Sequence, residues 1–175
     1  MQSKITTVAF RGITTTTVEV QVHLSNGLPS MAIVGLADKA VAESKERVPA
    51  ALSSMGLALP PKRIAINLAP ADLSKEGSHY DLPIAMGLLI AMGVLPTDSI
   101  DSMVVMGELS IDGGIAAVQG VLSAAIGAAS MDFGLICPEA CGNEAAWGGP
   151  LNIIAAPSLM ALVNHLRGEQ VLTPP

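Results

Sequence analysis

The stretch Asp81–Gly93, DLPIAMGLLIAMG, limits what this chain can fold into more than any other part of it. Its apolar residues fall on every side of a helix rather than along one stripe, so a helix here has no face to give to water and belongs inside a core. Asp81 is placed to cap it, and Pro83 is tolerated in the first turn, where its missing N–H loses no partner. Ala85, Gly87, Ala91 and Gly93 allow a neighbouring backbone to come close. The apolar run containing the helix extends only from Ile84 to Leu95, between Pro83 and Pro96, well short of the roughly 20 residues that span a bilayer. The opening MQSKITTVAFRG has no apolar segment of the secretory type. A soluble cytoplasmic domain with no membrane partner is expected.

Around that helix the sequence predicts strands first and helix–strand alternation afterwards. Residues 4–11 and 17–24 alternate and are rich in β-branched side chains, with a turn at Gly12. Residues 29–35 read as a third strand entered through the hairpin dipeptide Asn26-Gly27, giving a meander. Asp38 is the expected cap of a helix ending at Gly56, bent or broken near Lys45–Val48 by Pro49. A buried strand over 63–68 follows. Beyond the central helix come a strand over 103–111, a turn at Asp112-Gly113-Gly114, a helix over 118–129, strands over 133–137 and 151–155, and a helix capped by Ser158. The predicted class is α+β, a two-layer mixed sheet with helices mainly on one face. Residues 1–168 form the domain and 169–175 the start of a linker.

With 175 residues, half of them apolar but only 2% aromatic, the chain has to build its core from Ile, Val, Leu, Ala and nine Met. The net charge of −6 excludes a domain that coats nucleic acid with its whole surface. Five cations, Lys39, Lys45, Arg47, Lys62 and Arg63, nevertheless fall in one window opposed only by Glu43 and Glu46. That window is the candidate surface for nucleic acid or a partner, and a solvated helix face is the plainer alternative. Cys137 and Cys141 lack further ligands for a zinc site and read as packed thiols. The three histidines are scattered, and read as surface or core residues. No phosphate-cradling G-x-x-x-x-G-K-[ST] and no G-x-G-x-x-G occur, so no bound nucleotide and no metal are expected in this chain. Glu108 reads as a strand carboxylate facing solvent, and Ser78 with Lys75 as an exposed loop pair.

Three segments, SNGLPSMAIVGLADKAVAESKERV (25–48), NLAPADLSKEGSHYDLPIAMGLL (67–89) and VVMGELSIDGGIAAVQGVLSAA (104–125), closely resemble the N-terminal domain of magnesium-chelatase-like AAA+ proteins of the ComM/YifB type. The resemblance covers nearly the whole chain. It implies a Lon proteolytic-domain-like fold of the ribosomal protein domain 2-like superfamily, in front of an ATPase module. For the full-length protein it implies ATP and Mg, neighbouring subunits in a hexamer, and DNA branch migration in transformation. Laid on the Ser/Lys dyad of the Lon fold, it puts Asp81 and Ala124 in the two catalytic positions, so a non-catalytic module is expected over a peptidase.

Overall fold

A computed structural model describes all residues, Met1–Pro175. In chain order the elements are β1 (Gln2–Arg11), β2 (Thr14–Ser25), β3 (Ser30–Val34), α1 (Lys39–Ala42), α2 (Ser44–Ser54), β4 (Arg63–Ala69) and α3 (Asp81–Ala91). They continue with β5 (Met103–Val105), β6 (Glu108–Leu109), β7 (Ile115–Ala116), α4 (Val121–Ser130), β8 (Gly134–Pro138), α5 (Gly142–Ala146), β9 (Ile153–Ala156) and α6 (Leu159–Leu166). Seven strands form one mixed sheet in the order β3-β4-β2-β1-β5-β8-β9, and β6 and β7 form a small ribbon apart from it. Only β2 runs against its neighbours.

The central helix is placed as its composition requires. All eleven residues of α3 are buried, and it lies on the sheet close enough that Ser3 Oγ donates to the Gly87 carbonyl at 2.7 Å. A Cβ at Gly87 would stand 2.7 Å from Val22, so only glycine permits this approach. Val20, Val22, Leu24, Ile64, Ile66 and Leu68 point to the same side, and α2 and α6 complete that core.

Four expectations need correction. First, helices lie on both faces. Val8, Val104, Met106, Leu135 and Cys137 form a second core with Ala124, Ala125 and Ala128 of α4. Strands that run parallel and are apolar on both sides need two covers, so a third layer is added over that part of the sheet. Second, Asn26-Gly27 turns the chain but makes no hairpin, because β4 separates β3 from β2. The connection 26–29 is long enough to cross two strand spacings, and the more buried β4 takes the interior place. Third, the helical break falls at Glu43 and not at Lys45–Val48, and α2 carries Pro49 within it. The interruption sits where the chain turns Ser44 and Arg47 towards one buried carboxylate. Fourth, the expected strand 103–111 leaves the sheet after Val105. Gly107 instead bonds the loop and helix beside it, donating to the His79 carbonyl and accepting from Leu82 N–H, each at 3.0 Å.

Residues 169–175 hold no helix or strand. They fold back so that Leu172 N–H donates to His165 Nδ1 at 2.8 Å. No helix is long and apolar enough to cross a membrane.

Candidate functional site

Asp81 is not the cap it was expected to be. It is the first residue of α3 and makes no capping bond. Its fully buried carboxylate accepts from Ser44 Oγ at 2.5 Å, Arg47 Nε at 2.6 Å, Arg47 Nη2 at 3.1 Å and Leu109 N–H at 3.0 Å. Arg47 Nη2 also donates to the Ala40 carbonyl at 2.8 Å, and Glu43 lies 3.7 Å away. The hydrogen bonds to Asp81 raise the guanidinium pKa against the opposing effect of burial. A buried carboxylate is tolerated only when its lone pairs are satisfied in this way. The arrangement ties α1, α2, α3 and β6 together, and it commits Arg47 to the interior.

Lys75 corrects a second expectation, because it is wholly buried and not an exposed loop residue. Its Nζ donates to the Gly35 carbonyl at 2.6 Å and to the Pro70 carbonyl. Its backbone bridges the segment beside β3, accepting from Asp38 N–H and donating to the Leu36 carbonyl, both at 3.0 Å. Burial lowers the Lys75 pKa, with Asp72 acting the other way. The ammonium thus fastens the V-G-L segment to the N-L-A-P-A-D-L-S-K loop and makes no bond to Ser78. Ala124 is buried in α4 on the opposite face of the sheet from α3, and Glu108 is half-buried in β6.

The five-cation window divides. Lys39 and Lys45 are exposed on α1 and α2, in the layer that covers α3, and Arg47 is held by Asp81. Lys62 and Arg63 sit at the start of β4, with Arg63 paired across the sheet to Ser25 and Ser30. Two residues that the window missed join Arg63. In register, Gln2 stands opposite His23, Lys4 opposite Gln21, and Gln21 opposite Asn67. Lys4, His23 and Arg63 therefore step diagonally across β1, β2 and β4. All three are exposed, on the face that α3 does not cover. Diagonal steps of this kind are about 7–8 Å each.

That face is bare because the second helical layer ends short of it. Helix α4 reaches only the Thr15–Thr17 end of β2, where Thr17 Oγ1 lies 3.5 Å from Met131 Sδ. Beyond it the sheet carries a polar ladder: Asn67 Nδ2 donates to Gln21 Oε1 at 2.9 Å and Gln21 Nε2 to Glu19 Oε1 at 2.6 Å. Period-two alternation in 2–25 and 63–69 was the available signal for these residues. What it withheld was strand order, without which Lys4 and Arg63 have no reason to share one face of the sheet.

The family described as "Subunit ChlI of Mg-chelatase" matches residues 20–141. Competence protein ComM of Haemophilus influenzae is 38% identical over 164 residues, which is 94% of this chain and 32% of that protein. The protein YifB of Escherichia coli is 36% identical over 173 residues, 99% of this chain and 34% of its own length. A Mycobacterium tuberculosis protein without assigned function is 34% identical over 163 residues. The chain thus spans about a third of the length of these relatives.

Proposed function

We propose, because this chain belongs to the family of the Mg-chelatase subunit ChlI, that it is the non-catalytic front module of a magnesium-chelatase-like AAA+ motor, holding DNA during branch migration in transformation. The observation that carries this reading is the open sheet face, where Lys4, His23 and Arg63 line up over a polar ladder, with Lys62 beside them. Cations spaced along an uncovered surface suit a phosphate backbone without reading its sequence. The likeness to a competence protein over 94% of the chain supports the setting. In this proposal ATP and Mg belong to the ATPase module, and neighbouring subunits multiply a weak contact by raising its effective concentration. We extend the same reading to the fold, taking the mixed sheet with α3 across it as kin to the Lon proteolytic domain, with Asp81 and Ala124 in place of its dyad.

The test uses the full-length protein carrying Lys4→Glu, Lys62→Glu and Arg63→Glu together, with branched-DNA affinity measured at two salt concentrations. Each lost phosphate contact should reduce the slope of log affinity against log salt by about 0.9, so a fall of roughly two to three is expected. Lys39→Glu with Lys45→Glu, on the helical layer, is the control and should change the slope less. Unchanged affinity and slope in the sheet-face variant would reject DNA contact at this face.

A further inference from the structure

At the far end of β1 from Lys4, a cavity of about 470 Å³ opens between Phe10, the loop Glu76–His79 and the segment Ala117–Gln119. Its most unusual wall is an imidazole. His79 is only 5% exposed, and its ring is held between the edge of Phe10, at 5.3 Å between centroids, and Tyr80, at 4.2 Å. Nε2 lies 2.7 Å from the Val8 carbonyl. A carbonyl only accepts, so Nε2 carries the proton, and in the neutral ring Nδ1 is left as a bare acceptor. No group of the chain donates to Nδ1. Gly77 keeps the space before it open: its φ of +102° suits glycine, and a Cβ there would stand 3.2 Å from Nδ1.

The surroundings say what such an acceptor is offered to. An adjoining cavity of about 580 Å³ shares Phe10, Glu76 and Gly77 and continues past Asp38, Asp72 and Arg11. Three carboxylates thus rim one depression against one exposed cation, and none of the three is in an ion pair. Lys75, the nearest other cation in sequence, is turned inward to backbone carbonyls. Phosphate is disfavoured by this charge. A metal ion is disfavoured too, because no three His, Cys, Asp or Glu side chains gather to hold one. A flat cation with several N–H donors fits an imidazole lone pair, carboxylates and an aromatic ring in the same wall.

We infer that this depression receives an arginine side chain from a basic segment of a protein partner, the guanidinium donating to His79 Nδ1 and Glu76 beside Phe10. The site is independent of the DNA reading and lies at the opposite end of β1 from the sheet-face cations. The test is titration of the chain, with ¹⁵N-labelled histidine, by the peptide acetyl-Gly-Arg-Gly-Arg-Gly-amide and by its lysine counterpart. The ¹⁵N resonance of His79 Nδ1 should move saturably with the arginine peptide, and the lysine peptide should bind more weakly. Glu76→Gln with Asp72→Asn, both on the surface, should weaken binding about tenfold, as expected for loss of a charge-assisted bond. His79→Phe keeps a ring in place and removes the acceptor, and should weaken it comparably. A His79 resonance that stays fixed to millimolar peptide, or equal binding by the carboxamide variants, would overturn the assignment. So would an oligonucleotide that moves the same resonance.

Discussion

The two halves of the sheet are built on different rules. From β5 through β9 the strands run parallel and are apolar on both sides, packed into the core of α3 and α6 on one face and against α4 on the other, and β1 joins them only at its Val8 end. From β2 to β3 the same sheet is apolar on one side only, and its second side is a row of Glu19, Gln21, His23, Arg63 and Asn67. The first half has spent its surface on stability. The second half keeps a surface for something else, and α4 stops where that surface begins. The lesson is that an uncovered polar face beside a doubly covered one is informative, since the fold shows how it would have been covered.

The comparison can be broken most severely at Asp81, which holds the helical layer over both halves. Arg47→Ala should cost about 3–5 kcal/mol, because it leaves a buried carboxylate without its countercharge. A urea midpoint close to that of the parent would show that the pair is incidental.

A gentler test sets one half against the other. Leu135→Ala, in the doubly covered half, should lose about 2–5 kcal/mol, while Asn67→Ala on the bare face should stay within about 0.5 kcal/mol. Equal losses in chemical denaturation would erase the distinction between the two halves.

The smallest effect is a pH dependence from His79, at the boundary between the halves. Burial lowers its pKa below the ordinary value, although the Val8 carbonyl, Asp81 and Asp38 all favour the cation. Above about pH 6.5 both folded and unfolded rings are neutral, and the group adds no slope. As pH falls below that value, the unfolded chain takes a proton that the folded one resists. Stability should therefore fall with pH, by at most about 1.4 kcal/mol per unit. His79→Gln should flatten the curve between pH 5 and 6.5, and an unchanged slope in that variant would assign it to other groups.

What could be read from the sequence was whatever is decided within a few residues. Asp38 accepts from Val41 N–H at 2.8 Å and Ser158 from Ala161 N–H at 3.1 Å, as the capping signals predicted. The Gly12 turn, the buried central helix and the thiols of Cys137 and Cys141 follow from local pattern and composition as well. Both cysteines are free and buried, and burial pushes Cys137 up to about 12. What stayed hidden was decided by partners 34 to 40 residues away: Arg47 and Ser44 on Asp81, and Gly35 on Lys75. A charged residue in a loop looks solvated until the fold brings two carbonyls to it. The cation window suffered the same way. Its members were close in sequence, but a helix and a strand carried them to different layers.

Strand β3 lies at the margin of the sheet with Val34 57% and Leu36 56% exposed. Its outward N–H and C=O groups have no neighbour, and no proline or lysine within Ser30–Val34 discourages one. In a concentrated sample that margin is a template on which another copy's strand can register, in the way fibres and precipitates start. Aggregation of a preparation is therefore expected to start at Ser30–Val34, on the strand next to Arg63, and a single lysine there is the most economical way to discourage it.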